Sequence, residues 1–418
     1  MAPFNDKIDI QRPVSIDPQT SPIGKDVYTD SYGREFSPPG LFCFRHCLTS
    51  EFSIKEIYDA IPKHCFDRFA LRGLSYVLRD VFLIATAGYC ATYIPSLPYF
   101  ALQFLAWFAY TALQGAFMTG IWVLAHECGH GAFSGSGFVC DLVGWTLHSL
   151  LLVPYFSWKF SHGKHHKHTG SMEKDVVFVP RTLKLKLEKR GEELSELLGE
   201  TPLYSIIRLI VQQLLGWPAY LLLDITGQNY NNYRTSHFDP GFPLFEKGQG
   251  KWILVSDLGV AIVGYAIYAC IQKFGWLNVL LYYGVPYLYV NSNLVWITYL
   301  QHTDPALPHY RCSQWNFVRG ASCTIDRDFG FIGTHLFHRI IETHVAHHFV
   351  SRMPFYHAEE ATKAIRKVMG EAYMKDTTPI PLALWRTVRT CQYVPDTGDV
   401  VFFRNENGIG PLGRSKAD

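Results

Sequence analysis

The sequence predicts an all-α integral membrane protein: four transmembrane helices in two hairpins, bearing a cytosolic helical cap with a histidine-rich metal site. Three observations carry that expectation. The 418-residue chain is 48% hydrophobic and only 18% charged, richer in apolar side chains than a soluble domain. Its apolar residues are gathered into long uncharged runs, some of them long enough to cross a bilayer. Its 18 histidines fall mostly outside those runs, and eight of them stand in three tight groups. With 38 Lys and Arg against 36 Asp and Glu, a formal charge of +2 gives no field that would recruit nucleic acid.

The N-terminal stretch, 1–50, is polar and punctuated by Pro13, Pro18, Pro22 and Pro38. It lacks the apolar core of a cleaved signal peptide and reads as a flexible cytosolic tail. Ser53 to Phe69 places Ile54, Ile57 and Ile61 at helical spacing, with Ser53 and Glu56 as a capping box and Pro62 as a break. An amphipathic surface helix is expected there. The first membrane helix is placed at 79–97, its wholly apolar part running from Val81 to Ile94. Pro95 and Pro98 make a tight connection to the second, at 99–125. The third and fourth follow at 253–272 and 277–300, joined around Gln272 to Gly275 and interrupted by Asp257 and Asn291. Two further apolar stretches carry polar residues on one side: Asp141 and His148 within Phe138 to Phe156, and Arg208, Gln212 and Gln213 within Leu203 to Leu223. Both are expected to be interfacial or partly embedded. The membrane domain spans 51–403, and 404–418 forms a C-terminal tail without a retention or lipidation signal.

Arg68, Arg72, Arg79 and the segment from Arg181 to Arg190 lie on one side of the bilayer, whereas the two hairpin turns carry only Lys273. The arginine-rich side is therefore the cytosol, and both termini lie there. The ten cysteines include no C-x-x-C pair. Those inside apolar runs, such as Cys90 and Cys270, read as small buried hydrophobes, and neither a disulfide framework nor a thiolate metal site is expected.

The three histidine groups are His126-Glu-Cys-Gly-His130, His162-Gly-Lys-His165-His166 and His344-Val-Ala-His347-His348. Residues three and four apart share a helix face, so each group presents two or three imidazoles to one point. His302 stands at the cytosolic end of the fourth helix, as His126 stands at the end of the second. The isolated His46, His64, His148, His237, His309 and His357 are given ordinary structural or surface roles. Eight or nine imidazoles exceed what one zinc ion takes, and two metal ions fit the count. Imidazole-rich ligation with room for an exogenous molecule suits non-haem iron that activates dioxygen against an unactivated C–H bond, such as an acyl chain offers. His126-Glu127-x-x-His130 is also the zinc-protease pattern, but that reading leaves the other two groups without a role. A metal transporter would need polar residues along its membrane helices, and these are too apolar.

With these groups in view, the chain resembles the membrane-bound fatty acid desaturases, in particular the fungal and plant delta-12 (oleate) and omega-3 group. The likeness extends through Ile61-Pro-Lys-His-Cys-Phe66, Gly131-Ala-Phe-Ser134, Val153-Pro-Tyr-Phe-Ser-Trp158, Thr298-Tyr-Leu-Gln-His-Thr-Asp-Pro305, Leu307-Pro-His-Tyr310 and Trp315-Asn-Phe-Val-Arg-Gly320. The resemblance implies two irons held by His126, His130, His162, His165, His166, His344, His347 and His348, with His302 as the ninth ligand. It implies dioxygen as oxidant and an endoplasmic-reticulum membrane setting. Electrons are then expected from cytochrome b5 and its NADH-dependent reductase, a separate donor because no His-Pro-Gly-Gly haem motif is present. Lys184, Lys186, Lys189 and Arg190 offer a docking patch for that donor, although the interspersed Glu188, Glu192 and Glu193 make a plain solvated helix the simpler reading. Glu127, Asp304, Asp328 and Glu342 are candidates to orient imidazoles through their free N–H. His168, where the family usually has a small residue, is a candidate for product selectivity, and Ala321-Ser-Cys-Thr324, His335 and His338 are further departures. The expected reaction is cis desaturation of a lipid-linked or CoA-linked oleoyl chain at the delta-12 position. Omega-3 desaturation, 12-hydroxylation and acetylenation remain open on the same fold.

Overall fold

The computed structural model describes residues 52–189, 201–230, 233 and 235–411, together with a short antiparallel ribbon pairing Tyr28–Thr29 with Glu35–Phe36. Apart from that ribbon the expected N-terminal tail lies outside the described residues, as do Arg190, Glu192 and Glu193 of the expected basic patch. The described chain is helical, with only two-residue strand pairs: His309–Tyr310 against Val400–Val401, and Asp326–Arg327 against Lys375–Asp376. Helix α1 is Ile54–Ala60, opened by the expected capping box: the Ser53 N–H donates to the Glu56 carboxylate at 2.6 Å, and the Glu56 N–H to the Ser53 hydroxyl at 3.2 Å. A 3-10 turn, Lys63–Phe66, leads to α2, Ala70–Ala91, and then to α3, Phe100–His130. Next come α4, Gly137–Leu150, and α5, Tyr155–His168, with α6, Leu183–Lys189, behind them. Two long helices follow, α7 over Pro202–Leu223 and α8 over Gly250–Phe274. A short α9, Trp276–Val279, runs through a π turn, Leu280–Gly284, into α10, Val285–His302. The rest is α11, Phe317–Ala321; α12, His344–Phe349; α13, Phe355–Met369; and α14, Ile380–Thr390.

Helix α2 begins at Ala70, before the expected residue 79, and its charged residues find partners within the fold. The Arg79 guanidinium donates to Asp80 at 2.6 Å, Asp80 also pairs with His338 at 2.7 Å, and Arg72 stacks 3.9 Å over the Tyr356 ring. Helix α3 runs past residue 125 and ends only at Gly131, whose φ of 69° is the left-handed conformation that glycine adopts without strain. The Gly131 and Ala132 N–H groups cap the Cys128 and Glu127 carbonyls at 3.0 and 2.9 Å, so the helix stops at His130.

Four helices are long and apolar enough to cross a membrane: α2 with its following turn to Ser96, α3, α7 and α8; the α4–α5 pair, bent by 108°, is a fifth candidate. Helix α3 is the central one, with 72% of its most apolar window buried against 17% for each of the other three. It packs against α2, α4 and α10. Helix α7, expected to be interfacial or partly embedded, is one of the four. Its polar residues turn inward, Arg208 donating to Gln392 at 2.7 Å and Gln213 accepting from Ser292 at 3.1 Å, while Leu203, Ile207, Ile210, Val211 and Leu215 face out. That polarity is the reverse of a soluble surface helix.

The stretch expected as the fourth membrane helix is helical throughout, with the π turn inside it, and two of its polar side chains bond within the protein. Asn293 donates to Thr119 at 3.0 Å, and Gln301 to the Ile341 carbonyl at 3.0 Å. Its neighbours also differ from those of a simple hairpin: α10 lies against α3 and α7, whereas α8 lies against α4 and α5. Cys90 and Cys270, expected to be buried, sit instead on outward faces of α2 and α8.

A buried ion network ties α10 to α14. Arg327, fully buried, donates to the Leu300 carbonyl at 2.7 Å, to Asp304 at 2.9 Å and to Asp376, while Arg386 reaches the same two carboxylates at 3.1 and 2.6 Å. Burial opposes the charge on Asp376, but the Thr378 hydroxyl and N–H and the two guanidiniums outweigh it and hold its carboxyl down to about 2. A depressed carboxyl contributes stability above its unfolded value and loses it as pH falls toward the folded one, so this contribution is complete at neutral pH. Arg327→Met, which strands two carboxylates beside one remaining cation, is expected to destabilise the detergent-solubilised protein by ~3–5 kcal/mol. An unchanged thermal midpoint at neutral pH would contradict it.

Candidate metal centre

Four chain segments deliver imidazoles to one chamber: the end of α3, the last turns of α5, the end of α10 and the whole of α12. The i, i+3 and i+4 spacing does the local work, since it puts His162, His165 and His166 on neighbouring sides of α5 and His344, His347 and His348 likewise on α12. The structure divides the nine histidines into two sets. His126, His130, His162, His166 and His347 form the first, with one nitrogen of each lying within 4.8 Å of the others. His165, His302 and His348 form the second, and His344 joins it, its Nε2 lying 2.9 Å from that of His302 and 3.1 Å from that of His348. The stacked rings of His166 and His348, 4.1 Å apart, connect the sets.

The contacts inside each set are nitrogen to nitrogen. Nε2 of His126 lies 3.0 Å from that of His162 and 3.2 Å from that of His130, and His166 lies 3.1 Å from His162. In the second set His165 Nε2 is 3.4 Å from His302 Nε2. The far nitrogens of two rings are held by the protein. Asp175 accepts from His165 Nδ1 at 2.9 Å, so His165 Nε2 is the nitrogen turned toward His302. The Thr169 hydroxyl donates to the His165 carbonyl at 2.7 Å, so at 3.1 Å it accepts from His348 Nδ1, and His348 Nε2 is bare. Burial, together with the neighbouring imidazoles, holds His344, His347 and His348 well below the usual histidine range, so they are neutral. His347 Nε2 is buried with no partner.

Neutral imidazoles aiming lone pairs at one another repel unless a cation lies between them. Two nitrogens ~2.1 Å from one metal at right angles are ~3.0 Å apart, the spacing seen here. The donor set therefore fits two metal ions, each among imidazoles. Around it the walls are aromatic: Trp122 stacks on His126 at 5.7 Å, Trp158 on His162 at 4.4 Å and Phe178 on His302 at 4.6 Å.

The carboxylates proposed from sequence to orient imidazoles have varied partners. Glu127 places one oxygen 3.5 Å from His126 Nδ1 while the other accepts the Phe355 N–H at 3.0 Å. Asp304 serves the Arg327 and Arg386 network, Asp328 accepts the Gly330 N–H at 2.7 Å, and Glu342 accepts the Phe329 N–H at 3.2 Å. His168 turns from both sets, its Nδ1 3.1 Å from the Lys164 carbonyl and its ring 5.7 Å from that of Trp315. His338 pairs with Asp80 and His237 with Ser161. Asp175 was missed from sequence: it lies beyond the end of α5, and adjacency to a histidine group does not mark it. Burial works against its charge, but His165 and the Val177 and Phe178 N–H groups hold its carboxyl below the usual range.

The comparisons bear on this centre directly. The family model for fatty acid desaturases matches residues 102–379, which include all nine histidines. An oleate hydroxylase of Claviceps purpurea is 47% identical over 424 residues, covering 92% of this chain and 86% of the relative. A delta-12 fatty acid desaturase of Mortierella alpina is 51% identical over 371 residues, covering 86% and 92%. An endoplasmic-reticulum omega-6 fatty acid desaturase of Brassica juncea is 44% identical over 380 residues, covering 90% and 94%. With a histidine centre on apolar helices and relatives this similar across nearly its whole length, the chain belongs to the fatty acid desaturases, membrane oxidoreductases that act with dioxygen.

Proposed function

We propose that the protein is an acyl-lipid desaturase that introduces a cis double bond at the delta-12 position of an oleoyl chain, giving linoleate. The observation that carries it is the pair of imidazole sets with lone pairs converging at 2.9–3.4 Å, in a chain about half identical to delta-12 desaturases. His126, His130, His162, His166 and His347 would hold one iron, and His165, His302, His344 and His348 the other. Iron there supplies the activation of dioxygen. The reaction removes two hydrogens from adjacent methylenes, and with two electrons and two protons from outside reduces dioxygen to two waters.

The chain's own residues set the conditions for that chemistry. Asp175 fixes His165 as the Nε2 donor and strengthens its basicity. Thr169 does the same for His348. Trp122, Trp158 and Trp217, mutually 5.3 and 5.7 Å apart around Trp122, make an apolar wall beside the first set that excludes water and suits an acyl chain. We place the site on the cytosolic side of an endoplasmic-reticulum membrane, with both termini cytosolic and cytochrome b5 and its reductase as electron source. The asymmetry of Lys and Arg supports that orientation. Hydroxylation at carbon 12 is the second reading, favoured by the 47% identity to an oleate hydroxylase over 92% of this chain.

Expression in a yeast that lacks polyunsaturated fatty acids but has its own cytochrome b5, followed by gas chromatography and mass spectrometry of total fatty acids, separates the two. New linoleate is the expected product; a 12-hydroxy acid instead would assign the second reading, and neither product from stable membrane protein would overturn both. His347→Ala is expected to abolish product and lower iron content with membrane insertion unchanged; full activity would remove His347 from the ligand set. Asp175→Asn is expected to cost ~10–100-fold in activity or iron affinity, the range for groups that orient a metal-bound histidine. Iron titration of the purified variant measures the affinity, and a wild-type titration with wild-type turnover would deny Asp175 that role.

A further inference from the structure

A second group of metal-binding side chains lies apart from the histidine centre. The 3-10 turn Lys63–Phe66 sets His64 and Cys65 against the first turns of α13, where His357 and Glu360 share a face at i and i+3. One donor atom from each of the four lies within 4.8 Å of the others. His64 Nε2 is 2.8 Å from Glu360 Oε2 and 3.7 Å from Cys65 Sγ, and the two imidazole rings stand 5.5 Å apart, nearly perpendicular. The sequence assigned His64 and His357 ordinary roles and no thiolate site, because nothing local shows that the two segments meet.

Two features distinguish the group from a chance surface cluster. His357 Nε2 is buried with no hydrogen-bond partner, an unused lone pair or proton on a ring that has one nitrogen among the other three donors. Cys65 is fully buried, yet its thiol faces the Glu360 carboxylate; burial first and that carboxylate second push the thiol up to about 11. His64 and Glu360 remain about half exposed, at 54% and 52% of their side chains, which leaves an ion a way in. Around a tetrahedral zinc ion, nitrogen, oxygen and sulfur ligands are ~3.3–3.8 Å apart, so these donors need shift only slightly. One thiolate with two imidazoles and a carboxylate suits zinc over magnesium or calcium, which prefer oxygen alone.

We propose that His64, Cys65, His357 and Glu360 bind one zinc ion at a structural site distinct from the two imidazole sets. On binding, the Cys65 proton leaves to solvent and the sulfur ligates as thiolate, with no change of oxidation state. Cys65 packs in one apolar cluster with Ile57 and Ile61, with Val345, Ala346 and Phe349 of α12, and with Ala361 of α13. The ion would fasten the N-terminal helix and turn over the segment that bears the third histidine group.

The test uses the full-length, iron-loaded protein in detergent, equilibrated with zinc chloride and then dialysed against metal-free buffer, with both metals counted by mass spectrometry. One zinc per chain is expected beyond the iron, lost to background in the double variant His64→Ala/Glu360→Ala with iron unchanged. Both residues are half exposed, so that variant tests the site even if the buried Cys65→Ser fails to fold. Cobalt(II) in place of zinc is expected to show a sulfur-to-cobalt charge-transfer absorption that Cys65→Ser removes. The proposal is overturned if wild type holds no zinc above background, if the double variant keeps it, or if the zinc is lost only with His347→Ala, which would place it in the histidine centre.

Discussion

Nine buried imidazoles turned nitrogen to nitrogen are an arrangement that proteins do not hold without reason, and the rest of this structure is organised around tolerating it. Burial, with the neighbouring imidazoles, keeps His344, His347 and His348 neutral, so their repulsion is between lone pairs rather than full charges, and a pair of cations converts it into ligation. Asp175 and Thr169 pin two of the rings by their far nitrogens. The abrupt end of α3 at Gly131 keeps His126 and His130 in the last turns of a helix that is otherwise apolar. The imidazoles thus sit where apolar helix gives way to polar chain.

The same boundary explains why the helices are inside out by the standard of soluble proteins. Arg208, Gln213, Asn293 and Gln301 face the interior and find partners there, while leucines and isoleucines face outward. In lipid that orientation costs nothing for the apolar faces and spares the polar groups an unsatisfied exposure. It also shapes the site, because the inward face of α10 carries Gln301 to the Ile341 carbonyl, and Arg327, from a strand beyond the helix, donates to the Leu300 carbonyl, so both hold the end of α10 that bears His302. The site and the membrane face are two results of one segregation of polar from apolar surface.

Much of this was legible in the sequence. The capping box at Ser53, the run through α3, the bilayer-length third helix and the three histidine groups are patterns of spacing, and helical periodicity converts spacing into a shared face without help from the rest of the chain. The resemblance to the desaturases rested on short motifs and named His302 by its place at a helix end. Other features needed the folded chain. Helix α2 extends back to Ala70, with Arg72 stacked on Tyr356 and Arg79 paired with Asp80, partners that lie beyond any local pattern. Helix α7 is long and apolar enough to cross, although its inward arginine and glutamines read as an interfacial face. The fourth expected helix contains a π turn that no local rule marks.

The sequence alone determined which residue types are available and which of them share a face, because helix geometry is fixed over four residues. The tertiary structure alone decided the sorting of nine histidines into sets of five and four, the pairing of His165 with Asp175 rather than with a carboxylate adjacent to a histidine group, and the meeting of His64 with Glu360. Those contacts join residues from 10 to 296 positions apart, and their geometry depends on how the folded segments pack, which no spacing along the chain encodes.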